Sequence, residues 1–91
     1  MIKTPKIKIC GLQSAGHAVA AARAGADFLG FVFVEGVRRQ IWPEDGRKIL
    51  AEYRRTWTKD SPIIVGLFRN QSQQFVNKTI ASVGLDLVQL C

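Results

Sequence analysis

A chain of 91 residues, 47% hydrophobic and 22% charged, encodes one small domain with a thin core, and that balance excludes a disordered polymer. The net charge of +6 favours anionic ligands, yet the basic residues scatter over the ends of the predicted elements instead of forming a stripe, so no nucleic-acid platform is indicated. Two cysteines make no disulfide framework, the terminus Met1–Lys6 lacks the apolar segment of a signal peptide, and no apolar run is long enough to cross a bilayer; a cytoplasmic setting with reduced thiols is expected.

The first predicted element is a strand over Lys6–Cys10. Ile7 and Ile9 alternate with Lys6, Lys8 and Cys10, and a period of two puts the thiol on the lysine face. Gly11 then marks a turn, and an alanine-rich helix is predicted from Ser14 to Ala24, closed by Gly25. Phe28–Val34 (FLGFVFV) is apolar on both faces, as expected of a parallel strand buried between layers. After the loop Glu35–Arg39, Pro43-Glu44-Asp45 opens a second helix whose proline suits the first turn and whose carboxylates suit the positive end of the helix dipole. It is expected to run to about Tyr53, with Arg54 and Arg55 at the negative end. Thr56–Pro62 is linker-like but too short to separate domains. A third strand (Ile63–Phe68), a third helix from Ser72 to Gly84 and a fourth strand (Leu87–Leu90) complete the pattern, with no helix after the fourth strand. Strands alternating with helices predict a parallel sheet covered by crossover helices. A doubly wound open sheet shares this alternation, but a lone Gly11 is no dinucleotide fingerprint.

In either parallel fold the chemistry collects at the carboxyl ends of the strands. That rim would bring together Cys10, the loops after Val34 and Phe68, and Gln89 with Cys91. A thiol at a strand-to-helix corner can serve as a base, although a lone cysteine more often acts as a small space-filling hydrophobe. Arg38 and Arg39 can hold a carboxylate or phosphate in bidentate fashion, against the plainer reading of solvated loop arginines. His17 falls on the first helix, away from the rim, as a surface or packing residue. No metal-ligand spacing is present.

Five segments in order, KICGL, GADFLGFVF, RRQIWPED, VGLFRNQS and LDLVQL, make the chain resemble the amino-terminal part of the phosphoribosylanthranilate isomerases of tryptophan biosynthesis. The resemblance covers about Lys6 to Leu90. It implies the first four strands of a (β/α)₈ TIM barrel, βαβαβαβ with helices on the outer face, so that residues 1–91 form a single partial, half-barrel domain truncated after the fourth strand. It further implies an isomerase of the intramolecular oxidoreductase type, using no cofactor or metal. The reaction is the Amadori rearrangement of N-(5-phosphoribosyl)anthranilate, a small phosphosugar, to its 1-deoxyribulose phosphate product. An acid protonates the furanose ring oxygen, the ring opens to an iminium, and a base removes the proton from the adjacent sugar carbon. The family's base corresponds to Cys10, with Lys8 on the same face as a candidate modulator. Its substrate-binding arginine corresponds to Arg39, with Arg38 where proline is usual, and Gln89 corresponds to a pocket residue, followed by Cys91 where histidine is usual. The family's acid and phosphate cradle belong to later strands, so the isolated chain is expected to be inactive. No nucleic-acid or membrane partner is implied. The alternative is a non-catalytic half-barrel that forms a homo-oligomer through its open sheet edges.

Overall fold

A computed structural model describes residues 5–91; the part of the signal-peptide expectation that rests on residues 1–4 lies outside the described residues. The elements follow in the order β1 (Lys8–Ile9), α1 (Ala15–Arg23), β2 (Phe28–Val32), α2 (Pro43–Thr56), β3 (Ile63–Phe68), α3 (Gln73–Thr79), a π-helical turn (Ile80–Gly84) and β4 (Leu87–Leu90). All four strands are parallel and lie in chain order, β1-β2-β3-β4. Among the described residues the strand order does not reverse, as a doubly wound sheet requires. The winding is that of a (β/α)₈ barrel carried through half its strands.

Local chemistry accounts for the element ends. Ser14 caps α1 by accepting from the His17 backbone N–H at 3.1 Å, and Gly25, at φ +96°, turns the chain after it. The Trp42 N–H donates to Asp45 Oδ2 at 3.3 Å at the start of α2. This helix runs to Thr56, beyond the expected Tyr53, because Arg54 and Arg55 favour its negative end and the Trp57 N–H still reaches the Tyr53 carbonyl at 2.8 Å. Only two residues of β1 pair as a strand, where five were expected. The Ile7 N–H goes to Asp27 Oδ2 rather than to backbone, and Gly11, at φ +79°, bends the chain away. β2 stops at Val32 instead of Val34, where the Phe33 carbonyl turns to accept from Gln71 Nε2. The third helix changes type at Ile80. There Arg54 of α2 donates to the Val83 and Gly84 carbonyls at 3.0 and 2.7 Å, satisfying acceptors that the wider turn leaves open.

The helices share one core with one face of the sheet. Leu29, Phe31, Ile64 and Phe68 meet Ala18, Leu50 and Tyr53 there, all essentially inaccessible to solvent. Phe33 stacks on Phe68 with centroids 5.3 Å apart, and the Tyr53 hydroxyl pairs with Ser61 Oγ at 2.8 Å. By alternation the other face carries Lys8, Phe28, Gly30, Val65, Leu87 and Gln89, and this face is concave. The edge strands stand three strand spacings apart, roughly 14 Å on a flat sheet, yet Lys8 of β1 hydrogen-bonds Gln89 of β4. Only a strongly curled sheet allows that reach.

Candidate active site

Cys10 directly follows β1, on the concave side. Its Sγ rests on Gly30, so close that a Cβ at Gly30 would lie 3.0 Å from the sulfur and 3.2 Å from the Cys10 Cα. The glycine in the middle of an otherwise bulky apolar strand is thereby explained: it makes the berth in which the thiol lies. The thiol is half-buried and free. Behind it, the Gly11 and Leu12 N–H groups both donate to the Gly30 carbonyl, at 3.0 and 3.2 Å, and tie the turn to β2.

Arg39 reaches the same spot from the loop after β2. Its Cδ would lie 2.6 Å from a Cβ at Gly11, so the arginine stem crosses the β1–α1 turn in space that only glycine leaves open. Arg39 thus packs against the turn that directly follows Cys10. Arg38, one residue earlier, is exposed in the loop as Arg39 is, and it is Arg39 whose atoms stand nearest the Gly11 position. Gln89 is placed on the concave face of β4, where its carboxamide accepts from Lys8 Nζ. Beside the Lys8–Gln89 pair is a hollow of about 280 Å³ lined by Lys6, Lys8, Phe28, Val65, Leu87 and Gln89; Cys10 and Arg39 are not among its lining residues. His17 is exposed on α1, where it lines an apolar groove beside Ile7 and Ile9 rather than the hollow. The Cys91 N–H donates to the Phe68 carbonyl at 2.9 Å, which places the exposed Cys91 at the rim with the ends of β3 and β4.

Charge on this side is mostly positive, with Glu35 the acidic residue of the loop that carries Arg38 and Arg39. Lys6 and Lys8 lie on the concave face and Arg38, Arg39 and Arg69 in the loops above it, while the only ion pair among the described residues, Arg55 with Glu52, lies on α2. An anionic ligand fits such a surface. No group of three or more metal-ligating side chains occurs among the described residues. Two contributors were not singled out by sequence reasoning. Gly30 could have been noticed as the one gap in an apolar strand. Gln71, which donates to the Phe33 carbonyl and accepts from the Arg69 N–H at 2.6 Å, staples the loop after β3 to β2, and nothing in its local sequence marks it.

Four parallel strands in chain order with helices on one face, and with the Cys10 thiol and the Gln89 amide on the other, define half of a (β/α)₈ barrel. A family model for N-(5'-phosphoribosyl)anthranilate (PRA) isomerase matches residues 7–91, and the chain belongs to that family. The PRA isomerase of Citrifermentans bemidjiense is 46% identical over 87 residues, 93% of this chain and 39% of that protein. The crystal structure of the Thermotoga maritima enzyme superimposes with a TM-score of 0.84 at 33% identity, over 96% of this chain and 40% of the other. A PRA isomerase crystallised with reduced 1-(o-carboxyphenylamino)-1-deoxyribulose 5-phosphate gives the same TM-score and identity, over 96% and 42%. The chain thus spans about two-fifths of the length of the relatives it matches.

Proposed function

We propose that residues 1–91 form a half-barrel domain that supplies the base-bearing side of a PRA isomerase, acting on N-(5-phosphoribosyl)anthranilate. The observation that carries this reading is the Cys10 thiol, lying on the concave face against Gly30 with Arg39 across the adjoining turn. Once an acid has protonated the furanose oxygen and the C1–O bond has broken, the positive iminium acidifies the neighbouring C2–H. A thiolate at Cys10 takes that proton, leaving an enolamine that tautomerises to the 1-amino-1-deoxyribulose product. Atoms are only redistributed within the sugar, so the step calls for no oxidant or cofactor. Arg39 is assigned to the substrate's anionic groups, with Arg38 held in reserve in the same loop. Gln89 lines the pocket. The acid and the phosphate cradle come from the remaining strand–helix units of the barrel, and a cytoplasmic setting suits the free thiols Cys10 and Cys91.

The test joins this chain to the later strand–helix units of the Citrifermentans bemidjiense relative and follows loss of PRA fluorescence. The fusion is expected to turn substrate over and the unfused chain to be silent. A fusion that folds but leaves PRA untouched would refute the reading. Self-association is the second reading, favoured by the apolar edge residues Ile7 and Leu90, 52% and 75% exposed. Sedimentation of the unfused chain at micromolar concentration shows a dimer if it is correct and a monomer if it is not.

A further inference from the structure

The sequence places Lys8 two residues before the thiol and gives it no partner. The structure supplies one from the far end of the chain. Strand register puts Lys8 opposite Phe28, while Gln89 lies opposite Leu67 and hence level with Val32. Lys8 therefore extends across the concave face, over the stagger between β1 and β4, to reach Gln89 Oε1.

An ammonium group can only donate, so the amide must turn its carbonyl oxygen toward Lys8. A carboxamide is planar and its two ends oppose one another. With Oε1 held by Lys8, Nε2 is directed away from it, and it donates to no other described residue. A free glutamine rotates its amide and offers either end to a ligand; here one of the two orientations is selected.

Building on the proposed isomerase reading, we propose that Lys8 is a positioning residue that locks the Gln89 amide so that the pocket meets it as a hydrogen-bond donor, reserved for an acceptor oxygen of the bound sugar phosphate. The pairing also accounts for a lysine on the inner face of a barrel strand with no carboxylate beside it. Lys8 answers a neutral carbonyl, and both residues keep their polar atoms satisfied when substrate closes over them.

Gln89→Glu separates the donor role from a structural one. The carboxylate keeps and strengthens the link to Lys8 but presents acceptors where a donor is needed. In the fusion described above, Gln89→Glu is expected to raise KM for PRA by roughly tenfold or more with the fold intact. Lys8→Met, which frees the amide to rotate, raises KM by a smaller factor. Lys8→Arg, which retains a donor, leaves KM close to that of the unaltered fusion, and in a Gln89→Leu background Lys8→Met adds nothing further. Independently of turnover, the Gln89 side-chain ¹³Cδ and ¹⁵Nε2 resonances are expected to move on Lys8→Met and to return toward their original positions in Lys8→Arg. If the fusion proves inactive while these resonances respond, the isomerase reading fails and the Lys8–Gln89 pairing stands. An amide signal indifferent to Lys8→Met, a Gln89→Glu protein with unchanged KM, or a Lys8→Met effect that persists at full size in Gln89→Leu overturns the proposal.

Discussion

Placing a methyl group at Gly30 tests whether the thiol occupies the berth described for it. The new Cβ would stand 3.0 Å from Cys10 Sγ, 3.2 Å from its Cα and 3.4 Å from its Cβ. The sulfur alone could swing aside, but the Cα belongs to the backbone, and the chain following β1 must retreat by a few tenths of an ångström against the Gly11 and Leu12 bonds to the Gly30 carbonyl. Overpacking of this kind costs about 1–3 kcal/mol. Replacing a strand glycine otherwise returns about 0.5–1 kcal/mol of backbone entropy, so Gly30→Ala is expected to destabilise by up to about 2.5 kcal/mol. Each kcal/mol corresponds to roughly 4–8 °C in a domain of this size. The assay is thermal and urea unfolding in a Cys91→Ser background, where Cys10 is the sole thiol, together with the rate of Cys10 alkylation by iodoacetamide. A lower midpoint and an altered alkylation rate are expected. Unchanged values for both would show that the sulfur does not rest on Gly30.

Gly16→Ala serves as the opposite case: the residue lies within α1, is exposed and has nothing within 4 Å of an added Cβ, so stability should rise by about 0.8–1 kcal/mol in the same unfolding assay. A loss would indicate a steric neighbour that the structure does not contain. Arg54→Met removes two bonds to the carbonyls that end the π-helical turn and should cost about 1–2 kcal/mol by urea unfolding, whereas a neutral result would assign those carbonyls to water instead. Gly11→Ala combines a left-handed backbone, φ +79°, with a Cβ 2.6 Å from Arg39 Cδ. It should lose about 1–2 kcal/mol through backbone strain and, in the fusion, raise KM by displacing Arg39. An unaltered KM would detach Arg39 from the substrate.

The fold was legible because its signals are periodic and local. Alternation at Ile7 and Ile9, the apolar runs around Leu29 and Ile64, and the helix starts at Ser14 and Pro43 each reflect neighbours a few residues away. The same period of two that separates Lys8 and Cys10 from the isoleucines put the thiol on the lysine face, where the structure has it. What escaped was long-range. β1 is short because Asp27 takes its first N–H, β2 ends where Gln71 takes a carbonyl, and the last helix widens where Arg54 meets it from thirty residues away. Single-element periodicity contains none of these partners. The site divides in the same way. Cys10 could be named from the chain, but the roles of Gly30 and Gly11 as the spaces for Sγ and the Arg39 stem appear only when the first two strand–helix units are assembled. The resemblance matched Arg39 to the family's arginine and left Arg38 open beside it; what the sequence could not show is that the Arg39 stem occupies the space Gly11 leaves.

The assignment of Cys10 as the base is tested most directly by PRA turnover in the fusion carrying Cys10→Ser or Cys10→Ala, with circular dichroism confirming that the barrel is formed. Loss of a positioned base should lower kcat by about 10²–10⁴-fold in both variants while substrate binding persists. Turnover by Cys10→Ala within a fewfold of the unaltered fusion would contradict it, and the proton would then have to leave by way of another group.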